Sequence, residues 1–259
     1  MKFTHHSTLI TPLLTIVATV GMGTAAQAFS LYFGEDLGKG ETVRLATTPN
    51  ADAARNKFLS NLVGVGTETF ESYANQAKAP LSINFGSAGT ATLQGNGYIN
   101  QVPNGTNGVG RYPTSGKKYW EASDQFGISF SKPVAAFGFY GVDIGDFEGQ
   151  LKLTLLNTLT HFQQTVTVPH TIKGAGGGVL YFGLIAAPNE IFNQVIFGNT
   201  AQGVDYFAFD DMTIGSLEQV QPKPVPEPLT MTGLMLGGSL LVSGRRWRKW
   251  RQSMTAEKP

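Results

Sequence analysis

No cysteine occurs among the 259 residues. Disulfide bridges, thiolate metal centres and thiol nucleophiles are excluded together, and the fold must hold through its core alone. Basic charge is short where a folded body would lie. Residues 29–222 hold 11 Lys and Arg against 16 Asp and Glu, a net −5, while the two terminal segments carry the remaining eight basic residues. An acidic body offers no clustered basic surface for phosphates, which argues against nucleic acid as a partner. Catalytic signatures are missing too: there is no G-x-S-x-G, H-E-x-x-H or P-loop, and "GAGGG" at 174–178 lacks the following Lys-Ser/Thr. His161 and His170 are the body's only histidines. Glu68, Glu71 and Glu121 are carboxylates of the kind glycosidases pair, but nothing in the sequence places them together. The sequence therefore points away from an enzyme.

What the chain does have is two unusual ends. It opens with Lys2, His5 and His6, an apolar run from Leu9 to Val20, and Ala26-Gln27-Ala28. A basic start, a short hydrophobic segment and an A-x-A site describe a secretory signal peptide over 1–28, cleaved after Ala28. Near the other end stands "VPEPLTMTGLMLGGSLLVSGRRWRKWRQ" (225–252). No residue from Leu229 to Val242 is charged. With Ser243, Gly244 and the stems of Arg245 and Arg246, a helix over 229–244 approaches the ~30 Å hydrocarbon layer. Pro226 and Pro228 keep a helix from running back into the body, so 218–228 reads as a stiff linker. The basic residues of 245–259 would stay cytoplasmic, leaving the body outside.

Pro226-Glu227-Pro228, the apolar segment and the cluster led by Arg245 and Arg246 resemble the PEP-CTERM sorting signal of exported Gram-negative and cyanobacterial proteins. The resemblance implies recognition by an exosortase, a membrane protease that would cut near the triplet. It also implies an inner-membrane intermediate, then a place in the cell envelope or outside the cell. The signal sorts many unrelated bodies, so it carries no activity with it.

The body, 29–217, reads as a single mainly β domain with one short amphipathic helix near its start. "NADAARNKFLSNLVG" (50–64) places Ala54, Phe58 and Leu62 on one face, with Asn50 as its cap and Gly64 as its stop. Short alternating or apolar runs follow at 81–85, 91–94, 127–131, 134–140, 150–156, 164–168, 179–185, 193–198 and 204–214, divided by Gly-rich turns. Many short strands at even spacing predict a β-sandwich or jelly roll, with Phe137, Phe139, Phe182, Phe197, Phe207 and Phe209 in the core. The closing strand "YFAFDDMTIG" resembles the last strand of jelly-roll modules in secreted bacterial proteins, many of which bind carbohydrate. "GRYPTSGKKYW" and "FGFYGVDIGDFEGQLKLTL" resemble a group of uncharacterised PEP-CTERM proteins and imply no chemistry.

Two constellations stand out as candidate sites. Tyr112, Tyr119 and Trp120 share a Gly/Pro-rich loop with Arg111, Lys117 and Lys118. They are either an exposed platform for sugar rings or core aromatics at the start of a strand. Asp143 and Asp146 lie in one turn, and Asp210 and Asp211 in the last strand. Asp143, Asp146 and Asp211 form the set that would hold a calcium ion if loop and strand meet at an edge; otherwise these acids serve turns and no cofactor is expected. Strict alternation with Phe207 and Phe209 would turn Asp211 inward and Asp210 outward. The combined expectation is an exported, non-enzymatic envelope or matrix protein with a structural or binding role. Extracellular polysaccharide is its expected partner, and a carbohydrate-binding module is the alternative reading.

Overall fold

Alternation along single strands separates an inner from an outer side, and that separation builds the molecule. The computed structural model describes residues 29–221. The expected signal peptide, Pro226, Glu227, Pro228, the 229–244 helix, Arg245 and Arg246 lie outside the described residues. The described chain runs β1 (Phe29–Asp36), α1 (Pro49–Leu59), β2 (Gly66–Glu68), β3 (Leu81–Asn84), β4 (Thr90–Gln101), β5 (Lys118–Val134), β6 (Ala136–Val142), β7 (Leu151–Asn157), β8 (Phe162–Thr167), β9 (Val179–Ala186), β10 (Phe192–Asn199) and β11 (Tyr206–Gly215). Among the described residues no helix is long and apolar enough to cross a membrane.

The strands form one antiparallel sheet in the order β1-β9-β6-β11-β5-β10-β7-β8, with β2 added to β11 and the β3-β4 pair added to β5. Strand β5 serves two neighbours in turn. Trp120 to Ser123 pair with β11, and Phe126 to Val134 pair with β10. The sheet curls there, so the β1-β9-β6-β11 half packs over the β3-β4-β5-β10-β7-β8 half. Rings from strands far apart in the sheet meet between them: Phe139 stands 5.4 Å from Phe197, and Phe130 stands 5.9 Å from Phe137. Phe29 and Phe162, from the two end strands, lie 6.4 Å apart and bring the edges together. Each fully buried Phe contributes roughly 1.5–3 kcal/mol relative to exposure, so the aromatic core dominates stability.

The outer side of the first half is covered by α1. Ala51, Ala54 and Phe58 are buried against it. Gly138 and Gly183 make the fit, because a Cβ on either would lie 2.9 or 2.7 Å from the Phe58 ring. The cap of this helix differs from expectation. Asn50 is already helical, and the carboxylate of Asp36 accepts from the Asn50 and Ala51 amides at 3.1 and 2.9 Å. A strand end supplies the anion that the helix N-terminus favours, and the helix stops at Leu59, short of Gly64.

Three further expectations need correction. Strands β1 and β2, the second half of β4 and the first half of β5 exist beyond the anticipated runs. The body also extends past 217: the Val63 amide donates to Gln219 O and the Gln221 amide to Asn61 O, so the first residues of the expected linker are tied down. Finally, β11 carries a bulge between Asp210 and Thr213, with Asp211 at φ 46°. Phe207 and Phe209 point inward before it, and Met212 and Ile214 after it. One extra residue reverses the parity, and strict alternation fails for the Asp pair.

Candidate functional site

The outer side of the second half is not covered by the helix. Inward Leu93, Phe126, Ile128, Val195 and Phe197 are buried, so their neighbours Gln94, Gln125, Gly127, Gln194, Ile196 and Gly198 face out. These residues line a groove of about 510 Å³ across β4, β5 and β10, floored by Phe126 and Phe197. The two floor rings stack at 4.1 Å and 15°. Gly95 sits at φ +90° with Phe126 Cα 3.1 Å from where a Cβ would be, so the backbone approaches closely there. No lining residue is titratable. Three primary amides offer donors and acceptors, Ile196 remains 42% exposed, and Gly198 leaves open space above it.

The groove continues sideways in register. One row of paired positions is Thr92, Ser129, Gln194, Leu156 and Gln163; the next is Gln94, Gly127, Ile196, Thr154 and Thr165. Thr154 and Thr165 hydroxyls bond at 3.0 Å. These rows mix hydroxyls, amides and two aliphatic side chains.

The predicted platform lies elsewhere and is closed. Tyr112, Tyr119 and Trp120 are all buried, at 2%, 0% and 0% exposure. Trp120 belongs to the core between the two halves, its indole lying over Gly97 where a Cβ would collide. The Tyr112 hydroxyl donates to Gly177 O at 2.9 Å, and the Tyr119 hydroxyl to Glu121 Oε2 at 2.9 Å. No ring of the three is free to stack on a ligand, so the platform reading is replaced by a core role.

The predicted acids divide into two groups. Asp210 is fully buried and accepts from the Thr114 amide, the Ser115 amide and its neighbour Asp211 N at 2.8, 3.0 and 2.8 Å. Asp211 accepts from Ser115 Oγ at 2.7 Å. Burial raises the pKa of both, that of Asp210 well above its ordinary value, with repulsion from Asp211 adding to it. Asp143 and Asp146 sit apart from this pair, at an acidic end built around Arg111. The guanidinium lies 3.3 Å from Glu121 Oε1, close but not aligned for a hydrogen bond, and 3.5 Å from Asp143 Oδ2. It donates to Tyr206 O at 3.3 Å. Glu121 also accepts from Tyr98, Asn100 and Tyr119. Burial, followed by repulsion from Asp146 and Glu41 and offset by the Gly177 amide and Arg111, pushes Asp143 up to about 7. Asp205 reaches about 7 through burial and then Asp146 and Asp143. The calcium set of Asp143, Asp146 and Asp211 is thus not assembled, and the described residues contain no group of three His, Cys, Asp or Glu able to hold a metal.

The remaining titratable candidates serve the fold. Glu68 accepts from the Phe70 amide at 2.6 Å, and Glu71 from the Lys117 and Lys118 amides. His170 Nε2 accepts from the Leu151 amide at 2.9 Å. The groove residues went unnoticed in the sequence because glutamine and glycine on strands signal no chemistry. The available signal was a run of strands almost free of charge.

No protein-family model and no curated protein matches the chain. Among solved structures it is similar to the K2 cleaved adhesin domain of Lys-gingipain, at 12% identity and a TM-score of 0.35 over 58% of this chain and 97% of that one. It is similar to the C-terminal family 22 carbohydrate-binding module of Clostridium thermocellum Xyn10B, at 12% identity and 0.35 over 62% and 97%. A DUF4465 family protein from Bacteroides ovatus follows at 9% and 0.29 over 72% and 98%. At these scores and identities the likeness assigns neither function nor site, and both rest on this chain's own residues.

Proposed function

We propose that this is an exported, non-enzymatic binding protein of the cell envelope or extracellular matrix whose groove takes an uncharged polysaccharide. The PEP-CTERM-like tail would deliver it through an exosortase and a membrane-held intermediate. One observation carries the binding role: three glutamines line a glycine-bearing groove without a titratable group. A charged ligand would find no counter-charge there. A hydroxyl-rich neutral chain would find donors, acceptors and an aliphatic contact at Ile196.

Non-enzymatic action agrees with the fate of the acids. Glu68, Glu71 and Glu121 are each held by separate internal partners, whereas hydrolysis requires two carboxyls flanking one bond. With no exposed aromatic in the groove, affinity rests on hydrogen bonds worth about 1 kcal/mol each. A single short chain therefore binds on the order of millimolar.

Titration of soluble neutral oligosaccharides into the protein, followed by amide shifts, tests the groove. Shifts centred on Gln94, Gln125 and Gln194 are expected. Absence of shifts with every neutral glycan leaves a purely structural role. The sorting half is tested separately by mass spectrometry of the cell-associated product: a C-terminus near Pro226-Glu227-Pro228 is expected, and an intact Pro259 end overturns it.

A further inference from the structure

The groove is the middle of a wider surface. Its two rows of paired residues cross five strands, β4-β5-β10-β7-β8, and the Thr92 row reaches a sixth, β3, at Ser82. At ~4.8 Å between neighbours the six strands span about 24 Å. Counting β4 as 90–96 and β5 as 125–134, these strands contain two charged residues, Lys132 and Lys152, although residues 29–222 hold 11 basic and 16 acidic ones. The same stretches contain no Trp, Tyr or Arg. Their Phe side chains turn inward or, as Phe162 does, pack on Phe29.

These facts select among occupants. A protein partner is held chiefly by Trp, Tyr and Arg anchors set in a desolvated centre, and this face has none. Nucleic acid and acidic polymers require clustered cations, and Lys132 and Lys152 lie toward opposite ends of β10. A lipid surface requires a broad apolar patch, whereas Ile196 and Leu156 are the only aliphatic side chains in the two rows. An uncharged, hydroxyl-covered surface matches what remains.

We infer that the whole outer side of this half is a docking plane for packed chains of an uncharged polysaccharide, the groove holding one chain and the flanking rows its neighbours. The inference rests on the groove binding a neutral glycan and adds the packed form of the ligand. Its physical reason is area. Without a stacking ring, each sugar contributes little, and many simultaneous contacts on one rigid face convert weak hydrogen bonds into useful retention. The flanks supply those contacts through Thr92, Thr154, Gln163, Thr165 and Thr167.

The test compares two forms of the same polymers. The purified protein is co-sedimented with insoluble cellulose, chitin, β-1,3-glucan and starch granules, and titrated with soluble oligosaccharides of the same linkages. Retention on at least one packed polymer should exceed oligosaccharide affinity by about tenfold or more and persist at high salt. The double variant Gln163→Glu, Thr167→Glu places two charges on the β8 flank, away from the groove. It should weaken packed binding roughly fivefold or more, since a charge pressed against a neutral surface loses its water, with oligosaccharide affinity and melting temperature unchanged. Ser82→Glu, on β3 at the opposite flank, repeats the test should the β8 variant not fold. Equal binding of soluble and packed forms, or flank variants without effect on sedimentation, overturns the docking plane and leaves the groove's function intact. No binding in either form removes both.

Discussion

The two outer sides of this molecule treat polar groups in opposite ways. On the side covered by α1, and at the acidic end beside it, charged groups are buried and answered from within. Asp36 caps the helix, Asp210 collects three amides, and Arg111 stands between Glu121 and Asp143. On the bare side, glutamines, threonines and serines face water with two lysines, Lys132 and Lys152, among them. A charge taken out of water must be paired or neutralised, so acids on the covered side are committed to the fold. A neutral amide on an open strand is committed to nothing, which leaves it available to a ligand. Clustered carboxylates are therefore the less informative feature here, and an unremarkable neutral strand face the more informative one.

The contrast breaks hardest at Arg111. Arg111→Ala leaves Glu121 and Asp143 buried without their cation, and a loss of about 3–5 kcal/mol in urea unfolding is expected; a loss below 1 kcal/mol would show that water reaches these acids freely. Next comes Gly138→Val, which drives a side chain into Phe58 and Tyr181 under α1. Overpacking of this kind costs about 2–3 kcal/mol by the same measurement.

Acidity sharpens the difference from another direction. Asp143 and Asp205 are raised from 3.8 to about 7 in the folded protein, so the folded state holds their protons more tightly than the unfolded chain. Their contribution to stability is full below the unfolded value and is lost as pH rises through about 7. Melting temperature should thus be higher at mildly acidic pH than above neutrality, and Asp143→Asn should flatten that slope. Binding in the groove, which has no titratable lining, should change far less over the same range.

Smaller effects belong to the bare side. Gln125→Ala and Gln194→Ala should each weaken oligosaccharide binding by about 1 kcal/mol without moving the melting temperature. Gly198→Ala, where a Cβ meets nothing within 4 Å, should raise stability by about 0.4–1 kcal/mol while narrowing the groove and weakening the glycan. Reduced stability together with unchanged binding would place Gly198 outside the site.

Most of the strands, the helix and the aromatic core were legible in the sequence because period and composition are local properties. Phe137, Phe139, Phe182, Phe197, Phe207 and Phe209 are buried as alternation requires. The errors arose where distant parts meet. Trp120 stayed open between loop platform and core aromatic because the strand through Lys118 was hidden by its polar start. The cap of α1 comes from Asp36, fourteen residues before Asn50, and no helical signature contains it. Asp211 defeated alternation through one inserted residue in β11.

By itself the sequence determined the chemistry available to this protein: no thiols, an acidic body, a strand-rich core, and ends that resemble transport signals. Only the tertiary structure decided which polar groups remain for a partner. That choice depends on which residues the curl of β5 brings face to face, and on which side α1 covers. Both are set by contacts between segments far apart in the chain, where neither residue type nor local period carries the information.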